Sequence, residues 1–148
     1  MIKITKTENT VDQHFRDTVE DIFDWCTAPF EFGHGWNLLV AEMLDELEHK
    51  AKELGLSTEY IQLTDLQDRY GTLKVSGVWP AELDPIIERY TEESAKTCRG
   101  CGKPGKLRVG AGVFWYAACD EHTLPDSVTG EEHAQQIQPV LRFDNEPL

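Results

Sequence analysis

Two pairs of metal-binding residue types, Cys98-x2-Cys101 and Cys119-x2-His122, stand 17 residues apart and constrain this chain more than any other feature. Two intervening residues let one tight turn point both members of a pair at a single ion. Thiolate and imidazole together suit a tetrahedral zinc ion. Gly100 and Gly102 relieve the backbone of the first turn, giving the order of a zinc knuckle. Its amide N–H groups can donate to the sulfurs and spread their charge. Leu107–Val109 and Val113–Tyr116, joined by Gly110-Ala111-Gly112, read as a hairpin between the pairs. Knuckle, hairpin and a ligand pair at a short helix predict a treble-clef-like module over about 98–122. A zinc ribbon is the rival arrangement, and His122 in place of a fourth Cys favours the treble clef. Four protein ligands fill the shell, so one structural Zn2+ is expected, with no open position for catalysis. Asp120 and Glu121, between ligands, are expected to cap the next turn or to meet Arg99 or Arg108.

The 148 residues suit one domain, 1–148. The formal charge is −13, yet residues 98–122 hold four basic and two acidic residues. The one basic segment is therefore the one that carries the cysteines. So acidic a body repels nucleic acid phosphates at long range and attracts basic surfaces. Arg99, Lys103, Lys106 and Arg108 with Phe114, Trp115 and Tyr116 make only a weak nucleic acid footprint, so direct binding is not expected. No apolar run approaches 18 residues, and Met1–Lys6 does not open a signal peptide. Three cysteines in metal spacing without a secretion signal predict a cytoplasmic protein.

Along the chain, residues 1–9 read as a polar arm. Val11, Phe15, Val19, Ile22, Phe23 and Cys26 line one face of a helix over 11–26, which Pro29 ends. Cys26 lies on that face as a small buried hydrophobe. Residues 30–35 read as a loop in which two glycines bracket His34 and allow tight turns. A second helix over 36–54 carries an apolar stripe from Trp36 to Leu54 and the pairs Glu46–Lys50 and Glu48–Lys52. Gly55 suits its C′ position. Strands are predicted over 58–66 and 71–79, with a turn at 67–71. Asp84 and Pro85 fit N-cap and N1 of a third helix over 84–96. Thr129 and Glu132 form a capping box for a short helix to Gln138, followed by an extended tail. The fold class is α+β: helices packed on a small antiparallel sheet, with the C-terminal zinc module.

Tyr70-Gly71-Thr72-Leu73, Glu93–Thr97, Cys98–Gly105, Cys119-Asp120-Glu121-His122 and the Gly35-Trp36 opening of the long helix resemble a family of small uncharacterised bacterial and phage proteins. The likeness covers about residues 33–122. It implies zinc and a phage or prophage setting and names no reaction.

The sequence holds no zinc-protease or deaminase motif, no phosphate loop and no dinucleotide fingerprint. Asp45 and His49, one turn apart, read as part of a solvated helix face. The leading expectation is a non-enzymatic, zinc-stabilised acidic protein that binds and inhibits a basic host protein. A nucleic acid-handling defence complex is the concrete case, as for an anti-CRISPR inhibitor. Asp17, Glu20, Asp21, Asp24 and Trp36 are the expected partner-binding residues. An enzyme, hydrolase or nuclease, with a site near His34, Trp36 and Asp68 is the alternative. A self-associating structural or assembly component is the third reading.

Overall fold

The computed structural model describes residues 13–111 and 113–135. The expected arm at 1–9, the first two residues of the expected first helix, and the end of the last helix with the tail lie outside them. The described part is α+β, with two three-stranded sheets and helices packed around them.

Helix α1 (Gln13–Ile22) turns Phe15 and Val19 into the core, and Phe23 just beyond it joins them. The helix stops before Cys26, which is buried. Strand β1 (Phe30–Glu31) and a 3₁₀ turn at His34–Trp36 occupy the segment expected as a loop. Helix α2 (Asn37–Glu53) then buries Val40, Met43, Leu44, Leu47 and Ala51 along one stripe. Gly55 closes it at φ 70°, a conformation that favours glycine. Leu54 sits at the C-cap and leaves the stripe for solvent.

Strands β2 (Gln62–Arg69) and β3 (Thr72–Val78) form an antiparallel hairpin. The predicted five-residue turn shrinks to Tyr70-Gly71, with φ of 55° and 85°. Positive φ at both central residues matches the right-handed twist of the flanking strands. A bulge between Leu63 and Asp65 explains the imperfect alternation of the sequence here. Residues 58–60, expected as strand, are a 3₁₀ turn capped by the Ser57 hydroxyl. The sheet is mixed and not purely antiparallel, because β1 pairs with β2 in parallel. Helix α2 carries the chain back across the sheet, so β2 sets out from the same end as β1.

Helix α3 (Asp84–Ser94) packs on β3 and α2 through Ile87 and Tyr90. Asp84 does not cap it. A 3₁₀ turn at Ala81–Leu83 leads into the helix, Leu83 takes the N-cap position, and the Asp84 carboxylate accepts the Trp79 indole N–H at 2.7 Å. Glu46 does not pair with Lys50. Packing brings Arg89 and the Tyr90 hydroxyl of α3 to it instead, while Glu48 keeps Lys52 at 3.6 Å. Ser94, wholly buried, accepts the Leu73 N–H of β3 at 2.7 Å and donates to the Thr91 carbonyl at 2.6 Å. Both its hydrogen-bonding roles are filled, as burial of a hydroxyl requires.

The second sheet has the order β5-β4-β6: β4 (Lys106–Gly110), β5 (Phe114–Ala118) and β6 (Val128–Thr129). One half of the capping box forms ahead of a helical segment over 130–135, where the Thr129 hydroxyl accepts the Glu132 N–H at 3.1 Å; the Glu132 carboxylate meets that hydroxyl, also at 3.1 Å. Strand alternation gives β5 two jobs. Ala117 joins the main core, whereas Tyr116 and Ala118 pack with Cys98 and Cys119 in a separate small cluster.

Candidate metal centre

Cys98 and Cys101 lie on a turn that follows α3. The Cys98 N–H donates to the Lys103 carbonyl at 2.8 Å, and the Gly102 N–H returns to the Cys98 carbonyl at 2.9 Å. Gly102 takes φ 80° to close the turn. Cys119 ends the β4–β5 hairpin, and a 3₁₀ turn over Asp120–His122 swings the imidazole back toward it. The predicted ligand pair at a short helix thus sits on a single 3₁₀ turn.

Geometry brings the four side chains together. One ligand atom from each of Cys98, Cys101, Cys119 and His122 lies within 4.8 Å of the others. Cys101 Sγ and Cys119 Sγ are 3.7 Å apart, and Cys98 Sγ is 3.5 Å from His122 Nδ1. An ion held tetrahedrally by sulfur at about 2.3 Å and nitrogen at about 2.05 Å puts its ligands about 3.8 Å (S to S) and about 3.5 Å (S to N) apart. A third edge, Cys119 Sγ to His122 Nδ1, is shorter, at 3.1 Å. All three cysteines are free thiols, and 3.7 Å is far beyond a disulfide bond. These residues fit a metal ion.

The electrostatics point the same way. Burial alone would raise the Cys98 thiol. The backbone N–H groups of Cys119, Gly100 and Cys101 outweigh it and hold the thiol below its ordinary value. Cys119 is lowered too: burial acts against it, but the His122 N–H and the neighbouring thiols prevail. Cys101 is pushed up to about 11, first by burial and then by the sulfurs of Cys98 and Cys119. A third thiolate beside two others needs a cation. A bound divalent metal would supply it and would keep all three sulfurs deprotonated.

Arg108 braces the site from behind. Its buried guanidinium donates to the Ala118 carbonyl at 3.0 Å and to the Asp120 carboxylate at 2.8 Å, fixing the chain on both sides of Cys119. Asp120 therefore meets Arg108, as expected. Arg99 lies over the rings of Phe114 and Tyr116 at 5.1 and 5.0 Å. Tyr116 is buried and Arg108 is engaged, so two members of the sequence's basic-aromatic set are not free to meet nucleic acid.

No family model, no curated protein and no solved structure matches this chain.

None of the other expected residues joins the four converging side chains. Asp17, Glu20 and Asp21 are exposed on α1, and Asp24 is exposed just after it. Trp36 corrects an expectation. It is 0% exposed, packed in the main core, with its indole N–H donated to the Thr97 carbonyl at 2.8 Å. A side chain so enclosed touches neither a partner nor a substrate in this fold. The apolar stripe of α2 begins with it, and that pattern alone marked it for the core. His34 is half-buried. Asp68 accepts the Gly71 N–H at 3.1 Å and so braces the hairpin turn.

Burial pushes the Asp68 carboxyl up, with the Gly71 N–H and Arg99 opposing. A carboxyl raised in the folded state adds stability below its unfolded pKa and loses it as pH climbs through the folded value. Asp68→Asn can still accept the Gly71 N–H and carries no charge. It should therefore melt slightly above the parent at pH 7 and near it at pH 3, by calorimetry. A variant that melts lower at pH 7 would show the ionised carboxylate to be a net gain.

Gly33 and Gly35 carry a role the sequence reading missed. Neither has a positive φ. A Cβ on Gly33 would collide with the Arg99 carbonyl, and one on Gly35 with the Cys98 carbonyl. The Gly35 N–H also donates to the Arg99 carbonyl at 2.8 Å. These glycines permit backbone to lie on backbone where the loop before α2 meets the knuckle. The only local sign was a Gly-x-Gly spacing, which equally suits a tight turn.

Proposed function

We propose that this protein is a non-enzymatic binding protein, stapled by one structural zinc ion, that uses an acidic surface to inhibit a basic host protein. The observation that carries the reading is the convergence of three cysteines and a histidine, whose ligand atoms lie within 4.8 Å of one another. Three thiolates and an imidazole form a typical structural zinc set, and they leave no position for a reacting water. Knuckle, hairpin and returning ligand pair support a treble-clef-like module. The chemistry of the site is thereby used up in holding the fold, and function passes to the surface.

That surface is acidic where it is most regular. Glu20, Asp21 and Asp24 are exposed together at the end of α1. Carboxylates so arranged suit an Arg/Lys groove built for DNA or RNA, the kind found in a host defence complex. Charge complementarity speeds encounter and discourages wrong partners. The phage or prophage setting rests on the resemblance in the sequence.

Full-length tagged protein, zinc-loaded, should retain a basic protein or nucleoprotein from host lysate at low salt and release it at about 0.5 M salt, where the Debye length is only a few Å. Glu20→Lys, Asp21→Lys and Asp24→Lys combined should abolish retention. Capture that ignores both salt and charge reversal would remove the acidic surface as the driver.

A further inference from the structure

The acidic helix and the metal centre are far apart in sequence, yet a continuous path of polar contacts joins them. It starts at the knuckle, where the Arg99 and Thr97 carbonyls accept the Gly35 N–H and the Trp36 indole N–H, each at 2.8 Å. Gly33 and Gly35 lie against the same backbone with no room for a side chain. The path continues through the loop to Arg16 of α1. The Arg16 guanidinium donates to the Phe32 carbonyl at 2.6 Å, to the Phe30 carbonyl at 3.2 Å and to the Asn37 side-chain oxygen at 2.9 Å. It also lies over the Phe30 and Phe32 rings, at 5.7 and 5.0 Å. Asp17, Glu20 and Asp21 stand on that same short helix.

From this path we infer that metal occupancy controls how the acidic face of α1 is presented, with Arg16 as the positioning residue. The inference rests on the proposed zinc and acidic-surface reading and adds its regulation. With the ion bound, the knuckle offers two fixed carbonyls to the loop, and the loop offers two fixed carbonyls to Arg16. When the ion leaves, the small cluster of Cys98, Tyr116, Ala118 and Cys119 loses its centre. The Gly35 and Trp36 donors then lose their acceptors, and the carbonyls that hold Arg16 are released. Phe15, Val19 and Phe23 still hold α1 to the core. The expected result is a loosened, re-angled helix that stays attached, with its carboxylates no longer held as one surface.

Amide hydrogen exchange of the full chain tests this with zinc alone as the probe, comparing zinc-loaded with chelator-treated protein after metal analysis of both. Exchange should rise about tenfold at 33–37 and at 14–24 on zinc removal, while 41–51, in the middle of α2, changes less than about twofold. Arg16→Met should keep one zinc per chain and keep the zinc response at 33–37. Its α1 should exchange quickly with or without zinc. Unchanged exchange at 14–24 after zinc removal overturns the inference, as does an equal rise at 41–51, which would mean general unfolding. An Arg16→Met variant whose α1 still responds to zinc overturns the path through Arg16. A chain that takes up no zinc overturns it together with the metal reading. The measurement uses no partner, so failed capture from lysate with intact coupling would defeat the acidic-surface reading alone.

Discussion

Removing the metal at neutral pH, or replacing Cys98 with Ser, should abolish the folded structure of the C-terminal third while the main core stays folded. The buried apolar cluster around the site consists of Cys98, Tyr116, Ala118 and Cys119. Two of those four, Cys98 and Cys119, are candidate ligands, so little core remains once the sulfurs stop converging. Structural zinc contributes about 10–16 kcal/mol in small zinc-binding peptides at pH 7. Whole domains are stable by about 5–15 kcal/mol. An ion of that strength would be enough to keep the C-terminal third folded. The large cluster built from α1, α2, β2, β3 and α3 stands outside the site and should survive in part. Far-ultraviolet circular dichroism should show lost strand signal, and indole emission should shift to the red as the half-buried Trp115 of β5 meets more water. Superimposable melts of zinc-loaded and metal-free protein would end the structural role of the site. Because the ligand thiols must be deprotonated, acidification should release the ion and imitate the chelator.

Trp36→Ala should be the most damaging substitution away from the metal ligands, at about 3–5 kcal/mol. Trp36 heads the largest fully buried side chains and bridges the start of α2 to the chain entering the knuckle. Alanine leaves a cavity there and strips the Thr97 carbonyl of its donor. Trp36→Phe keeps an aromatic ring and forfeits the indole hydrogen bond, a net loss of about 1 kcal/mol for that bond plus a smaller cavity. Urea unfolding of both variants with zinc present checks the order. A Trp36→Ala protein within about 1 kcal/mol of the parent would contradict the burial described above. The two predictions are linked through one contact region, since Trp36 and Gly35 rest on the backbone that presents Cys98.

Helix α2 and helix α3 were legible because their apolar residues recur every three or four positions, and one face of a helix is a local property. The ligand set was legible for the same reason: two residues between ligands describe one turn. The first sheet was less so. Its parallel β1 is two residues long, too short to show a period, and it is defined by β2 more than 30 residues away. Asp84 fits the local pattern of a cap, and Glu46 that of a helix pair. Each found a better partner, Trp79 for one and Arg89 with Tyr90 for the other.

What this sequence determined alone was which four residues converge in a cluster that could hold a metal ion, the α+β composition and the main apolar faces, because spacing along a chain sets those directly. Only the tertiary structure decided that Gly33 and Gly35 serve close contact and not turning, and that the backbone presenting Cys98 lies against the loop before α2. Those depend on which distant backbone arrives beside a residue, and no periodicity within one segment carries that information.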